Sequence, residues 1–83
     1  MERLYLARNR IRKVPDSIGR LKELRRLYLY ENDIKILPSG IADLEKLEIL
    51  NIYQNPITNL PEDILKLKEH GTIIFFSSFD EPE

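Results

Sequence analysis

Apolar and polar positions along the chain repeat with a period of 23 residues. Leu4, Leu27 and Leu50 stand 23 residues apart and form the first of eight columns that agree across three rows without an insertion. Self-similarity at a fixed period of this length is the signature of a repeat architecture. The other seven columns are Leu6, Leu29 and Ile52; Asn9, Asn32 and Asn55; Ile11, Ile34 and Ile57; Val14, Leu37 and Leu60; Pro15, Pro38 and Pro61; Ile18, Ile41 and Ile64; and Leu21, Leu44 and Leu67.

Each row predicts a strand, a turn and a short helical return. Alternation of apolar and polar residues, as in "RLYLYEN" at residues 26–32, is typical of a half-buried strand. After the turn, "PDSIGRLKEL", "PSGIADLEKL" and "PEDILKLKEH" carry apolar residues three apart, which indicates a short helix or 3-10 segment. One such coil cannot bury its own apolar edge, so we expect the coils to stack as a solenoid with parallel strands about 4.8 Å apart.

The asparagine column is predicted to be structural. Where each strand ends, the chain must turn, and the buried backbone groups of the turn need hydrogen-bond partners. An asparagine side chain both donates and accepts, so Asn9, Asn32 and Asn55 are expected to bond the turns above and below them.

The tail "HGTIIFFSS" is predicted to form a fourth strand in the same register, because adding 23 to Leu50 and Ile52 reaches Ile73 and Phe75. Asp80 then falls in a core column, where a carboxylate is costly to bury, so the repeat is expected to end there. The predicted organisation is one domain at 1–79 and an acidic tail at 80–83, the domain comprising repeats 1–23, 24–46 and 47–69 and a terminal strand within 70–78.

The row "LRRLYLYENDIKILPSGIADLEK" resembles a leucine-rich repeat of the 23-residue class, with the pattern LxxLxLxxNxIxxLPxxIxxLxx. It is similar to the Ras-group intracellular and the bacterial repeats that carry "LP" after the turn. The resemblance implies an α/β fold: a right-handed solenoid with a parallel β-sheet on its concave face and short helical or 3-10 segments on its convex face. Families of this kind usually bind other proteins on the concave sheet, so it also implies a protein or peptide partner.

Strand residues that point away from the core are expected to line this concave face. All four tyrosines of the chain belong to that set, and Tyr30, Tyr53 and Phe76 are predicted to form one continuous ladder. The candidate partner-binding residues are Arg3, Tyr5, Arg26, Tyr28, Tyr30, Glu31, Ile49, Asn51, Tyr53, Ile74 and Phe76.

Two interpretations fit this aromatic set. Aromatic and β-branched residues are favoured on strands, and aligned aromatic pairs stabilise a sheet by about 0.2–1 kcal/mol each. Tyrosine is also enriched at interface hot spots, where it supplies a large rigid contact area with a polar tip. Because the equivalent convex positions hold Lys, Glu and Asp, we favour a recognition surface.

Charge is distributed unevenly along the repeats. Residues 1–23 carry a net +4, residues 24–46 are neutral, residues 47–69 carry −2 and residues 70–83 carry −3. With no recognisable capping segment at either end, the solenoid would expose core and strand edges, which favours edge pairing. The alternative function is therefore a structural module that forms a homo-oligomer through its ends, or a piece of a longer repeat array.

The cysteine and histidine content, the net charge and the N-terminal sequence exclude several classes of function. The chain has no cysteine and one histidine, so no metal site, no cofactor and no catalytic residues are predicted, and an enzyme is not expected. The net charge of −1 gives no overall reason to expect a nucleic acid or a membrane as partner. An N-terminus charged from Glu2 onwards and the lack of cysteine lead us to expect a cytoplasmic, intracellular protein.

Overall fold

A computed structural model describes residues 1–76 of the chain, so the predicted acidic tail and the last residues of the predicted terminal segment lie outside the described residues. Four short strands alternate with helical segments. The strands are β1 (Arg3–Tyr5), β2 (Arg26–Tyr28), β3 (Ile49–Asn51) and β4 (Ile73–Phe75). The helical segments are 3-10 helices at Asp16–Arg20 and Ser39–Asp43, and an α-helix, α1 (Glu62–Leu65), that continues into a 3-10 helix at Lys66–His70.

The four strands form one parallel sheet in the order β1-β2-β3-β4. Leu4 pairs with Leu27 and Leu27 pairs with Leu50, so the first three strands align with the 23-residue period. The prediction of a parallel sheet backed by short helical and 3-10 segments is confirmed.

The repeated apolar columns form the core between the sheet and the helical segments. In the second and third coils, Leu27, Leu29, Leu50 and Ile52 are fully buried. In the first coil, the equivalent residues are partly buried, as Leu6 shows, because a neighbouring coil packs against only one side of them within residues 1–76. Burial of these two strand columns therefore increases when a coil packs on both sides.

Asparagine side chains connect successive turns. The Asn32 amide nitrogen donates to the Leu6 and Leu29 carbonyls at 2.9 Å each, and its Oδ1 accepts from the Asn9 and Ile11 amides at 2.8 and 2.9 Å. Both the donor and the acceptor sides of this side chain thus reach back to the preceding coil.

Asn55 makes the same contacts one coil later, donating to the Leu29 carbonyl at 2.8 Å and accepting from the Ile34 amide at 3.0 Å. Asn9 is exposed, and its side chain donates within its own turn, to the Ala7 carbonyl at 3.1 Å.

The fourth strand is shifted by one residue from the predicted register. Leu50 pairs with Ile74 rather than with Ile73, so the spacing here is 24 residues. Ile74 and Phe76 are partly buried against the core, whereas Ile73 and Phe75 are 56% and 48% exposed. The prediction that Ile74 and Phe76 lie on the concave face is therefore wrong, because a one-residue shift turns every side chain of a strand to the opposite face.

The shift originates in the third helical segment. In the first two coils the 3-10 helices approach closely: the Gly40 amide donates to Asp16 Oδ1 at 2.8 Å, and a Cβ on Gly40 would collide with the Asp16 carbonyl oxygen. Asp63 stands 23 residues after Gly40 and carries a Cβ, so the third coil cannot repeat this approach. Its first turn is α-helical instead, and an α-helical turn uses about 3.6 residues where a 3-10 turn uses about 3.0.

Gly71 ends this longer segment at φ 99°, a left-handed conformation that glycine adopts without strain. Thr72 follows it and is buried, and its hydroxyl donates to the Leu47 carbonyl at 2.8 Å. The polar side chain that the shift places inside the protein therefore has a partner, and β4 continues the sheet from there.

Candidate interaction surface

The side of the sheet that faces away from the core, here called the concave face, consists of aligned rows of side chains. Parallel pairing brings residues from distant parts of the sequence next to one another, because each row takes one residue from each strand. The first row is Arg3, Arg26, Ile49 and Ile73, and the second is Tyr5, Tyr28, Asn51 and Phe75.

A third row lies just beyond the strands and includes Tyr30 and Tyr53. Backbone bonding continues there, since the Arg8 amide donates to the Tyr30 carbonyl at 3.0 Å and the Glu31 amide donates to the Tyr53 carbonyl at 2.9 Å. The two tyrosines therefore stand on neighbouring coils, as predicted, but Phe76 does not continue their ladder because its side chain packs against the core.

Tyr5 and Tyr28 form a parallel stack. Their ring centroids are 4.6 Å apart and their planes differ by 4°. Tyr5 remains 61% exposed, because its outer ring face is open, and Tyr28 is half-buried. Within residues 1–76 this is the one ring–ring pair, so Tyr53 and Phe75, 46% and 48% exposed, are not covered by another aromatic ring there.

Tyr30 is approached by a cation from the preceding coil. The guanidinium carbon of Arg8 lies 5.9 Å from the Tyr30 ring centroid, within the range of a cation–π contact. Arg8 Nε also lies 3.0 Å from Glu31 Oε1. Glu31, a predicted partner-binding residue, is thus engaged by Arg8 at the border of the concave face.

The first row changes character from one end of the sheet to the other. Arg3 and Arg26 are neighbours on β1 and β2, while Ile49 and Ile73 are neighbours on β3 and β4. Arg3 is exposed and forms no ion pair within residues 1–76. One end of the row is therefore cationic and the other apolar.

Arg26 has only a loose carboxylate neighbour, since its Nε lies 3.9 Å from Glu48 Oε1. Glu48 is bound more closely by Arg25, whose Nη1 donates to Glu48 Oε2 at 2.8 Å. That hydrogen bond and the Glu48 charge raise the pKa of the Arg25 guanidinium above its ordinary value. Glu48 therefore forms its ion pair mainly with Arg25.

The structure brings most of the candidate residues onto one face. Glu31 lies at its border, and Ile74 and Phe76 point the other way. The sequence interpretation missed Ile73 and Phe75, although Gly71 was a signal for them: a glycine directly after a helical segment is typical of a helix end, and it marks where the next strand starts. The residues that the face brings together as predicted are Arg3, Tyr5, Arg26, Tyr28, Tyr30, Ile49, Asn51 and Tyr53.

The described residues show no sign of a metal site or a membrane span. Among the residues described, no three or more His, Cys, Asp or Glu side chains are grouped so that they could hold a metal ion. None of the helices in residues 1–76 is long and apolar enough to cross a membrane. A groove away from the sheet is lined by Ile36, Pro56 and Leu60, without a titratable pair that could act as acid and base.

Comparisons with known proteins agree with this architecture. A leucine-rich repeat family model matches residues 1–67. The structure of a leucine-rich-repeat protein of Leptospira interrogans is similar to this one, with a TM-score of 0.84 and 31% sequence identity over 94% of the chain. The chain spans only 20% of that protein's length. No curated protein matches the sequence. The chain belongs to the leucine-rich repeat family.

Proposed function

We propose that this chain is a recognition module that binds a protein or peptide on its concave face and performs no catalysis itself. Leucine-rich repeats commonly serve as protein-interaction modules. The observation that carries the proposal is the alignment of exposed aromatic and aliphatic side chains from different coils: Tyr5, Tyr53, Ile73 and Phe75 each expose roughly half or more of their surface on one side of a single sheet.

Two properties of this face support recognition over a purely structural role. The Tyr5–Tyr28 stack can stabilise the sheet, but Tyr53 and Phe75 have no ring partner within residues 1–76, so a partner laid on the face could bury them. Several exposed aromatic and aliphatic side chains gathered on one face of a domain are typical of an interaction site.

The test is selection of random displayed peptides on the natural chain, followed by binding of the selected peptides to a Tyr30→Ser, Tyr53→Ser double variant. We expect the double variant to lose about tenfold or more in affinity, because tyrosines of this kind act as hot spots. Glu62→Ser with Lys68→Ser, two exposed residues of the helical side, is the matched control and should bind as the natural chain does.

Circular dichroism and thermal melting of both variants separate binding from folding. If the tyrosine variant keeps its spectrum and melting point, and the selected peptides still bind both it and an Ile73→Thr, Phe75→Ser variant at full strength, the concave face is not the recognition site. If its melting point falls steeply, the tyrosines stabilise the sheet and their proposed role in recognition is wrong.

A second candidate function is association of copies end to end. Two observations favour it: β1 lies at an edge of the sheet in the described chain, and net charge falls from +4 over residues 1–23 to −2 over residues 47–69. Light scattering over a range of protein and salt concentrations tests it. Mass that grows with protein concentration and declines with salt supports the charge-opposed contact, and a constant monomer mass contradicts it.

A further inference from the structure

Resting on the proposed function, we propose that the partner is an acidic–apolar peptide segment laid across the four strands. Its carboxylate would bind Arg3 and Arg26 at the β1–β2 end of the concave face, and an apolar side chain would pack on Ile49, Ile73 and Phe75 at the β3–β4 end. Such a peptide would run across the strands, with its acidic side chain over β1 and β2 and its apolar side chain over β3 and β4.

The cationic end is a pair of like charges that the chain's own carboxylates compensate only weakly. Arg3 and Arg26 are register partners on neighbouring strands, where directly opposed like charges are destabilising. Three other charge pairs, all stacked one coil apart, have opposite signs and form ion pairs: Arg8 with Glu31, Arg25 with Glu48, and Glu23 with Lys46.

A carboxylate of the partner would supply the negative charge that neutralises Arg3 and Arg26. Arg3 lacks an ion pair in the described part of the chain, and Arg26 has only Glu48 at 3.9 Å, which Arg25 already holds at 2.8 Å. Guanidinium groups suit this task because their planar fork binds a carboxylate through two parallel hydrogen bonds. An acidic side chain is therefore the group that this end recognises best.

The apolar end consists of the side chains that β3 and β4 place on the concave face. Ile73 lies beside Ile49 and Phe75 lies beside Asn51, with 56% of Ile73 and 48% of Phe75 exposed. No charged side chain belongs to this part of the first two rows. An apolar side chain placed there would remove these surfaces from water, which is favourable in proportion to the area covered.

The distance between the two ends sets a spacing in the partner. From the middle of the β1–β2 pair to the middle of the β3–β4 pair there are two strand intervals, which amounts to about 10 Å at about 4.8 Å each. An extended peptide rises about 3.3 Å per residue and returns a side chain to the same face at every second residue. An acidic residue and an apolar residue two or four positions apart, about 7 or 13 Å, lie on either side of this distance, and the long arginine side chains make up the difference.

The experiment compares the sequences of peptides selected by the natural chain with those selected by two double variants. The natural chain should enrich Asp or Glu two or four positions from Leu, Ile or Phe, in a single order along the peptide. Arg3→Gln with Arg26→Gln should lose the acidic preference and keep the apolar one. Ile73→Thr with Phe75→Ser should do the reverse, and threonine keeps the β-branched shape that strands favour.

Individual peptides then measure the contact directly. Replacing Glu by Gln in a selected peptide should weaken binding to the natural chain about tenfold, as expected for loss of a charge-assisted pair. The same replacement should have no effect on the Arg3→Gln, Arg26→Gln variant. Arg12→Gln with Arg20→Gln removes the same number of charges elsewhere on the first coil and should leave the tenfold difference intact.

The outcomes separate this inference from the proposed function. Peptides that require Tyr30 and Tyr53 but show no acidic enrichment, or whose Glu→Gln effect persists in the arginine variant, overturn the inference and leave concave binding standing. Peptides that bind at full strength both to the Tyr30→Ser, Tyr53→Ser variant and to the Ile73→Thr, Phe75→Ser variant overturn the proposed function itself, and this inference with it.

Discussion

The second and third coils have matching strands and turns but different helical halves. Glu31 and Gln54 both adopt φ 59° directly before a buried asparagine, and β2 and β3 pair in register. On the helical side, the second coil has a 3-10 helix packed closely at Gly40, whereas the third has α1 and one more residue. The sheet side thus keeps the repeat constant, while a change on the helical side passes to the next strand as a register shift.

The largest expected effect concerns burial between coils. Leu29→Ala removes a fully buried side chain with a coil on each side and should lower the free energy of unfolding by about 2–5 kcal/mol. Leu6→Ala changes the same column in the first coil, where the side chain is only partly buried, and should have a clearly smaller effect. Urea denaturation of both variants measures the difference, and equal losses would contradict the role assigned to the second neighbouring coil.

The asparagine column provides the next comparison. Asn32→Ala leaves the Leu6 carbonyl and the Asn9 and Ile11 amides without their side-chain partner, so we expect a loss of about 1–3 kcal/mol. Asn9→Ala removes a single exposed bond to Ala7 and should change stability by about 0.5 kcal/mol or less. Denaturation midpoints that fall equally would show that the inter-coil bonds contribute little.

The helical halves can be compared directly at one column. Gly40→Ala forces a Cβ against the Asp16 carbonyl, and overpacking of this kind should destabilise by about 1–3 kcal/mol. Asp63→Ala, 23 residues later, meets no such restriction and should fall within about 0.5 kcal/mol of the natural chain. Calorimetric melting of the two variants checks this. If Gly40→Ala leaves the melting point unchanged, the close approach at Gly40 is not the reason that the third coil forms α1.

The register of β4 can be tested with single cysteines, because the chain has no cysteine of its own to react with the reagent. Ile73→Cys should react several-fold faster with a thiol reagent than Ile74→Cys, since Ile73 is 56% exposed and Ile74 packs against the core. The reverse order of rates would support the 23-residue spacing and contradict the shift.

The smallest effect is electrostatic. Lys46 Nζ lies 2.9 Å from Glu23 Oε1, and this hydrogen bond and its charge lower the pKa of Glu23 from its ordinary 4.5. The stabilisation it gives is therefore complete above pH 4.5 and is lost as the pH falls through the lowered pKa.

Glu23→Gln should make the stability profile flatter over that acidic range, by a small amount that salt reduces because both groups are exposed. Glu69→Gln, in the same column of the third coil, is the control, because Glu69 forms no ion pair within residues 1–76. Urea midpoints measured against pH distinguish the two.

The repeated columns were enough to predict the strands, the turns and the core. Leu27, Leu29 and Asn32 could be assigned from spacing alone, because the equivalent residues of the third coil occupy the same buried environment. The register of β4 could not be assigned in this way. It depends on whether Asp63 can approach the preceding coil as Gly40 does, which is a contact between segments distant in sequence.

The regular rows of the concave face could also be predicted from the sequence, but individual side-chain contacts on it could not. Tyr5, Tyr28, Tyr30 and Tyr53 follow from strand alternation within the regular rows. The pairing of Glu31 with Arg8 depends on the paths of two long side chains, which spacing does not determine.

Because Asn32 and Asn55 bond to the coil before them, a further coil could be inserted between two existing ones. A duplicate of residues 24–46 inserted after the first coil would carry its own asparagine to bind the turn before it, and would offer the next asparagine a Leu29-type carbonyl. Each such duplication would widen the sheet by about 4.8 Å and add one further arginine and two tyrosines to the concave face. Copying this unit in frame would therefore enlarge the concave face and keep the asparagine bonds between coils, although Arg25 and Lys46 would then stack on their own copies in place of Glu48 and Glu23.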